Sequence, residues 1–356
     1  MSKLAIIIIT YNRYEPFFNV FKQMLLQIEQ SPYKNGIELC IFDNGSNIDI
    51  TNEIKKIKST TDIEIKFQRF SENSAKSGVN IHDLYIFKNS DSEYCWLFGD
   101  DDILSEDTAI DTIMEALYEK SADVITFPFI NRNIYGEQKD EVPAESIVLY
   151  PSVNSLESRL FDFSLKKDYD LWFSGINNKP PCDCVMFIFL SNVIFKRSNW
   201  EKYVDEKSFK LHVQAYIHLK TLLNGGILQY INVPLVTRNN SFDSNYDNKH
   251  LYMYLSLTYE LISYFFEGEL EDRLYNAFFN MHISQMVRIS PDTTDEKKEH
   301  LKNMQIHVHN ARARLLTAER LNVIEAKLDT KLDNLTYLLE KIDYPERVLR
   351  VLKEKK

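Results

Sequence analysis

Cysteine is scarce: four in 356 residues, too few and too scattered for a disulfide framework. Cys40 and Cys95 sit inside apolar runs, where a reduced cysteine acts as a small hydrophobe. A reducing compartment is the simplest reading. Cys182 and Cys184 form a Cys-x-Cys with no second cysteine pair beside it, which argues against structural zinc. Nine glycines and ten prolines exclude a fibrous or low-complexity chain. There is no excess of basic charge either. A formal net charge of −10 repels a phosphate backbone and argues against nucleic-acid binding, so a phosphate-bearing ligand would need a local cation. Long apolar runs are also missing. Leu4 to Ile9 is too short for the core of a signal peptide, and Val185 to Phe195 is interrupted by Ser191 and Asn192 and cannot span a bilayer. The expected location is the cytoplasm, with peripheral contact at the inner face of a membrane at most.

What the chain does contain is an alternation of short apolar runs and amphipathic segments. Leu4 to Ile9 is apolar throughout and mostly β-branched, as a strand covered on both faces should be. Phe17, Phe18, Phe21, Met24, Leu25 and Ile28 then recur at helical spacing. Further strands are expected at Ile37 to Phe42, Ile63 to Phe67, Tyr94 to Phe98 and Val124 to Phe127, with helices marked by Ile81, Leu84 and Tyr85 and by Ile110, Ile113, Met114 and Leu117. The order predicts an α/β fold with a mostly parallel sheet flanked by helices. From about Lys249 the pattern turns wholly helical. The expected division is a catalytic domain over 1–248 and a helical region over 249–356.

Ligands of parallel sheets lie at the carboxyl ends of the strands. Three polar motifs fall there: Thr10-Tyr11-Asn12-Arg13, Asp43-Asn44-Gly45-Ser46 and Gly99-Asp100-Asp101-Asp102. The last ends the stretch YCWLFGDDDIL, in which a buried-looking strand runs straight into three carboxylates. Like charges this close repel, and a cation resolves the conflict. Asp100 and Asp102, two apart in an extended turn, suit Mg2+ or Mn2+, which combine one or two carboxylates with substrate phosphates. The plainer alternative is a cap: Asp102 or Ser105 heading a helix that begins near Glu106.

The TYNR, DNGS, SENSAKSGVNIHDL and WLFGDDDIL segments, in that order, resemble a family 2 glycosyltransferase of the GT-A fold, closest to the abequosyltransferase-like enzymes of bacterial surface polysaccharide synthesis. The resemblance covers roughly residues 1–240. It implies that Thr10, Tyr11 and Arg13 border the nucleotide, Tyr11 lying against the base. It likewise implies that Asp43 reads the base and that Asn73 contacts the nucleotide, although the family's Asn-x-Gly is here Asn73-Ser74-Ala75 with glycine delayed to Gly78. Asp100 and Asp101 fall with the nucleotide-binding set, Asp100 touching ribose or metal, and Asp102 would ligate the metal. Against these stand local readings: Tyr11 as a capping aromatic, Asp43 as an Asx turn, Asn73 as a loop residue.

For the acceptor side, relatives place an aspartate base where this chain has His212, and an imidazole accepts a proton near neutral pH. His212 is the first candidate base and Asp183 the second, with His212 and His218 as helix-surface or packing residues the alternative. Arg238 could meet a phosphate, and His250 could complete a metal site. The implied reaction is metal-dependent transfer of a sugar from a nucleoside diphosphate sugar, a UDP-sugar foremost, to a hydroxyl of a surface-polysaccharide or lipid-linked glycan, with inversion.

Two rivals remain. A sugar nucleotidyltransferase should carry a glycine-rich basic loop after the first strand, and TYNRYEPFF has no glycine. A non-catalytic nucleotide-sugar-binding scaffold would work through its helical tail. There Leu321, Leu328, Leu335 and Ile342 repeat every seven residues and suit a homo-oligomer, or packing on the catalytic domain. The final ERVLRVLKEKK suits an anionic membrane surface.

Overall fold

The computed structural model describes residues 2–73, 90–132, 147–150, 157–174, 187, 189–204, 213–239, 261–268, 270–271 and 274. The chain divides into two compact units, Met1–Ser241 and Phe242–Lys356. In the second, residues 261–265 are helical and the Ser263 hydroxyl donates to Glu271 Oε1 at 2.7 Å. The expected helix around Ile81, the heptad leucines and the basic tail lie outside the described residues.

The first unit is built on an eight-stranded sheet. In chain order its strands are β1 (Leu4–Thr10), β2 (Ile37–Asp43), β3 (Glu64–Arg69), β4 (Tyr94–Gly99), β6 (Val124–Thr126), β9 (Arg159–Asp162), β10 (Val193–Lys196) and β11 (Ile227–Tyr230), arranged β3-β2-β1-β4-β10-β6-β11-β9. The half made of β3, β2, β1 and β4 is parallel throughout. Beyond it β10 runs antiparallel to both β4 and β6, and β9 antiparallel to β11, so the sheet is mixed. A second sheet, not anticipated from sequence, has the order β5-β12-β7-β8, with β5 (Ile103–Leu104), β7 (Phe129–Arg132), β8 (Ile147–Tyr150) and β12 (Val236–Asn239). The flanking helices are α1 (Tyr14–Gln30), α2 (Thr51–Lys58), α3 (Ala109–Glu119), α4 (Lys166–Ser174), α5 (Arg197–Tyr203) and α6 (Val213–Leu223).

Strands β1 and β2 are buried along nearly their whole length, which is why they read as unbroken apolar runs. Helix α1 buries the stripe foreseen for it, Phe17, Phe21, Met24 and Ile28 each at most 1% exposed. Burial of each such side chain contributes about 1.5–3 kcal/mol. The chain goes from β1 out to β2 and β3 on one side, then returns to place β4 on the other. That reversal opens a crevice at the carboxyl ends of β1, β2 and β4, where doubly wound sheets bind ligands.

His218 lies inside α6, 2% exposed, against the rings of Phe195 at 4.9 Å and Phe187 at 6.3 Å. It is therefore a packing residue. Burial pushes its pKa down to about 3, so it stays neutral in the folded state while an unfolded chain protonates it near 6.5. Protons then favour the unfolded state below pH 6.5, and stability falls as pH drops. His218→Leu should remove that dependence. By about pH 5 the wild type should have lost about 2 kcal/mol relative to the variant, compared with their difference at about pH 8. Urea denaturation at both pH values checks this; parallel pH profiles would show that the imidazole is not buried as neutral.

Candidate active site

The ladder sets the site's geometry. Thr10 pairs with Asp43, and Ile9 with Gly99, so the three polar motifs leave the sheet at one level. Asn44 N donates to Thr10 O at 2.9 Å, carrying the pairing one step past the strands.

The loop after β1 is held by the loop after β2. Asn12 takes a left-handed φ of 56°, a conformation that asparagine tolerates better than most residues. Its N–H donates to Ser46 Oγ at 2.9 Å, and its Oδ1 accepts from Asn47 N at 2.8 Å. Asp43 is fully buried. Its Oδ1 accepts from Ser46 N, three residues on, at 2.8 Å, and its Oδ2 accepts from Arg69 Nη1 at 2.7 Å. Arg69 also donates to the carbonyls of Ile48 and Ser46 and so pins the whole turn. Gly45, at φ 79°, lets the Glu72–Asn73 backbone approach: a Cβ there would lie 2.5 Å from the Glu72 carbonyl carbon. Asn44 Nδ2 donates to Asn73 Oδ1 at 3.3 Å. Between the first two loops lies a cavity of about 240 Å³ lined by Thr10, Asn12, Arg13, Ser46, Asn47 and Ile48 among others. The Tyr11 ring is 40% exposed beside it in sequence.

The third element is the acidic turn, and its carboxylates have divergent partners. Arg13 Nη1 bridges Asp100 Oδ1 at 3.1 Å and Asp101 Oδ2 at 2.6 Å, tying the loop after β1 to the end of β4. Burial opposes the Arg13 charge, but Asp101 and Asp100 outweigh it and hold its pKa above the ordinary value. Burial pushes the Asp100 carboxyl up to about 6, against the pull of Arg13.

Asp102 is 4% exposed, and its Oδ2 accepts from Ser191 Oγ at 2.5 Å. Burial first, then the charge of Asp101, pushes its carboxyl up to about 7. Among the described residues no cation lies within ion-pair distance of it. The N-cap alternative does not hold: α3 starts at Ala109 with Thr108 as its cap residue, and Ser105 Oγ pairs instead with Thr237 Oγ1 at 2.8 Å.

The turn is anchored from behind by residues that sequence reasoning did not select. Gln23 of α1 donates to Leu104 O and accepts from Leu104 N, both at 3.0 Å. Ser191, fully buried, accepts from Gly99 N at 2.8 Å while donating to Asp102, and its carbonyl accepts from Trp96 Nε1 at 2.8 Å. Ser191 and Asn192 belong to a 3-10 turn, Leu190–Asn192, ahead of β10. The signal was visible: two polar residues interrupting an apolar run that would otherwise be buried.

The described residues fit a hard divalent ion of limited protein ligation. Burial makes the charged form of a carboxyl costly, and among the described residues no cation pairs with Asp102 to offset that cost. No cluster of three or more His, Cys, Asp or Glu side chains suits a metal among the described residues, so most ligands would come from substrate oxygens and water, as is usual for Mg2+. Asp100 is the nearer of the other two in role, but Arg13 already pairs with it. His212, Asp183 and His250 lie outside the described residues. No helix among the described residues is long and apolar enough to cross a membrane.

The sequence profile described as glycosyl transferase family 2 matches residues 5–188, just over half of the chain. Abequosyltransferase RfbV of Salmonella typhimurium is 25% identical over 246 residues, 66% of this chain and 66% of that protein, so the chain spans slightly under two thirds of that curated relative. Among solved structures, S. aureus TarS 1-349 in complex with UDP-GlcNAc superimposes with a TM-score of 0.56 at 14% identity, covering 92% of this chain and 88% of that one. The same protein in complex with UDP gives 0.54 at 15% identity over the same shares. At such identity these likenesses show a common fold.

Proposed function

The chain belongs to glycosyl transferase family 2, and from that premise we propose that it moves a sugar from a nucleoside diphosphate sugar, a UDP-sugar foremost, to a hydroxyl of a surface-polysaccharide or lipid-linked glycan, inverting the anomeric centre. Family membership carries the glycosyltransferase activity. UDP draws on the ligands named for S. aureus TarS, and the glycan acceptor on the name of the S. typhimurium relative.

One observation carries the reading: at the switch point of the sheet, Arg13 spans the β1 and β4 ends while Asp102, buried, makes no ion pair among the described residues. Thr10, Tyr11, Arg13 and Asn73 border the nucleotide in this account, the exposed Tyr11 ring offering a face to the base. Asp43 offers its remaining lone pairs to a base N–H, held in place by Ser46 and Arg69. Arg13, with Asp100 and Asp101, orients the ribose and phosphates. A Mg2+ or Mn2+ bound by Asp102, with Asp100, would supply Lewis-acid stabilisation of the departing diphosphate. His212, immediately before α6 in sequence, takes the acceptor's proton, with Asp183 the second choice. The helical region after residue 248 mediates self-association, and its basic end meets an anionic membrane where a lipid-linked acceptor resides.

A thermal-shift panel of UDP, GDP, CDP and dTDP with and without Mn2+ tests the donor side. One nucleotide, UDP first, should raise the unfolding midpoint with the metal, a ligand at a hundred times its Kd contributing about 2.7 kcal/mol. No shift from any of the four would overturn the reading. A scaffold that only binds would shift without ever releasing free nucleotide from a donor sugar.

A further inference from the structure

Ser191 meets the acidic turn from the antiparallel half of the sheet. Strand β10 lies against β4 with Ile194 opposite Trp96, and three steps further along that register bring Ser191 level with Gly99. The short turn that carries it is fixed on both sides. Trp96 Nε1 donates to Ser191 O at 2.8 Å, Thr126 Oγ1 to Asn192 O at 3.0 Å, and Asn192 Nδ2 to Phe127 O at 3.1 Å. The direction of the buried Ser191 hydroxyl follows from its neighbours. Gly99 N can only donate, so it takes a lone pair of Oγ at 2.8 Å. The one hydroxyl proton then goes to Asp102 Oδ2 at 2.5 Å, the acceptor it meets among the described residues. Oδ2 is also pressed against Gly99, where a Cβ would lie 2.5 Å from it. Oδ1 of Asp102 takes no hydrogen bond among the described residues.

We propose that Ser191 is a positioning residue that leaves Asp102 a single free oxygen, Oδ1, and thereby makes the site favour Mg2+ and Mn2+ over Ca2+. The assignment rests on the metal reading above. Small hard ions of the Mg2+ kind combine one or two carboxylates with phosphate oxygens and water, so one oxygen of Asp102 suffices for them. Ca2+ is larger, takes about six to eight oxygens and binds well to both oxygens of one carboxylate. A carboxylate whose second oxygen is held by a hydroxyl and backed by a glycine cannot present that pair. The same hydroxyl sets the rotation of the carboxylate before any ion arrives, and partners of that kind raise the affinity of the group they orient. Were Ser191 only an acceptor for Gly99 N, its proton would have no reason to meet the one carboxylate of the turn that Arg13 does not pair.

The test reads ion affinity directly. The EPR signal of free Mn2+ is followed as the ion is titrated into the full-length protein with an equimolar amount of the nucleoside diphosphate that wild type binds best, and Ca2+ is read by its displacement of the bound Mn2+. Wild type should hold Mn2+ more tightly than Ca2+. Ser191→Ala should weaken Mn2+ about ten- to a hundredfold and Ca2+ by less than about threefold, so the preference shrinks. Ser191→Cys, which keeps the shape but has only a weak donor, should shift the ratio the same way by less, and it decides should Ser191→Ala not fold. A Mn2+ to Ca2+ ratio unmoved in the variants overturns this assignment alone, whether both affinities stay put or both fall together with the melting temperature. Ca2+ bound by wild type as tightly as Mn2+ overturns it too. A wild type that binds no Mn2+ in the presence of the nucleotide removes the metal reading and this assignment together.

Discussion

Asp102→Asn should lower kcat by about 10²–10³-fold while leaving the unfolding midpoint close to that of the wild type. The amide keeps the shape of the side chain and can still accept the Ser191 hydroxyl, so the turn has no reason to move. What disappears is one negative charge in a dry setting. Removing a single preorganised electrostatic partner from such a setting costs about 2.7–4 kcal/mol of transition-state stabilisation, and that sets the range. Steady-state turnover at saturating Mn2+, paired with a thermal melt, separates the two effects. Full activity in the variant would make Asp102 a structural carboxylate and remove the metal from the account. Nucleotide binding in EDTA, which does not use the missing charge, should be nearly unaffected.

A second large effect is expected from a residue that touches no ligand. Gly99 ends β4, and a Cβ placed there would lie 2.5 Å from Asp102 Oδ2 and 3.1 Å from its Cγ. Real Cβ atoms do not approach so closely, so in Gly99→Ala the carboxylate must swing away. That breaks its bond from Ser191 and leaves a buried oxygen to find another partner. Displacements of about 1 Å at a reacting centre cost on the order of a hundredfold. Gly99→Ala should therefore lose about a hundredfold in kcat, with a stability loss of only about 1–3 kcal/mol. A variant with wild-type turnover would show that the position of Asp102 does not matter to the chemistry.

The parallel half of the sheet was legible because its strands are covered on both faces and carry no compromise with solvent. Leu4 to Ile9 and Tyr94 to Phe98 each lie within one residue of the observed strands at both ends. The second sheet was not legible. Strand β5 has two residues, Ile103 and Leu104, and its partner β12 is far away in sequence, so neither offers a period to read. The same limit governs the site. That the TYNR, DNGS and GDDD segments meet follows from strand order alone. How the carboxylates divide, Asp100 and Asp101 to Arg13 and Asp102 to Ser191, depends on side-chain contacts across about 90 positions. Asp43 shows both lessons: its carboxylate does close the local turn, but on Ser46 N three residues on and not the two of an Asx turn, and the Arg69 partner that buries its charge had no local signal.

The central claim is that Asp102 is tolerated in the core because a divalent ion shared with the donor's diphosphate neutralises it. Crystals of the protein grown with Mn2+ and the best-binding nucleoside diphosphate, measured at the manganese edge, address it directly. The account predicts one anomalous peak about 2.0–2.2 Å from a carboxylate oxygen of Asp102 and from phosphate oxygens of the nucleotide. A nucleotide bound elsewhere, or bound in this crevice with the ion ligated away from Asp102, would contradict it.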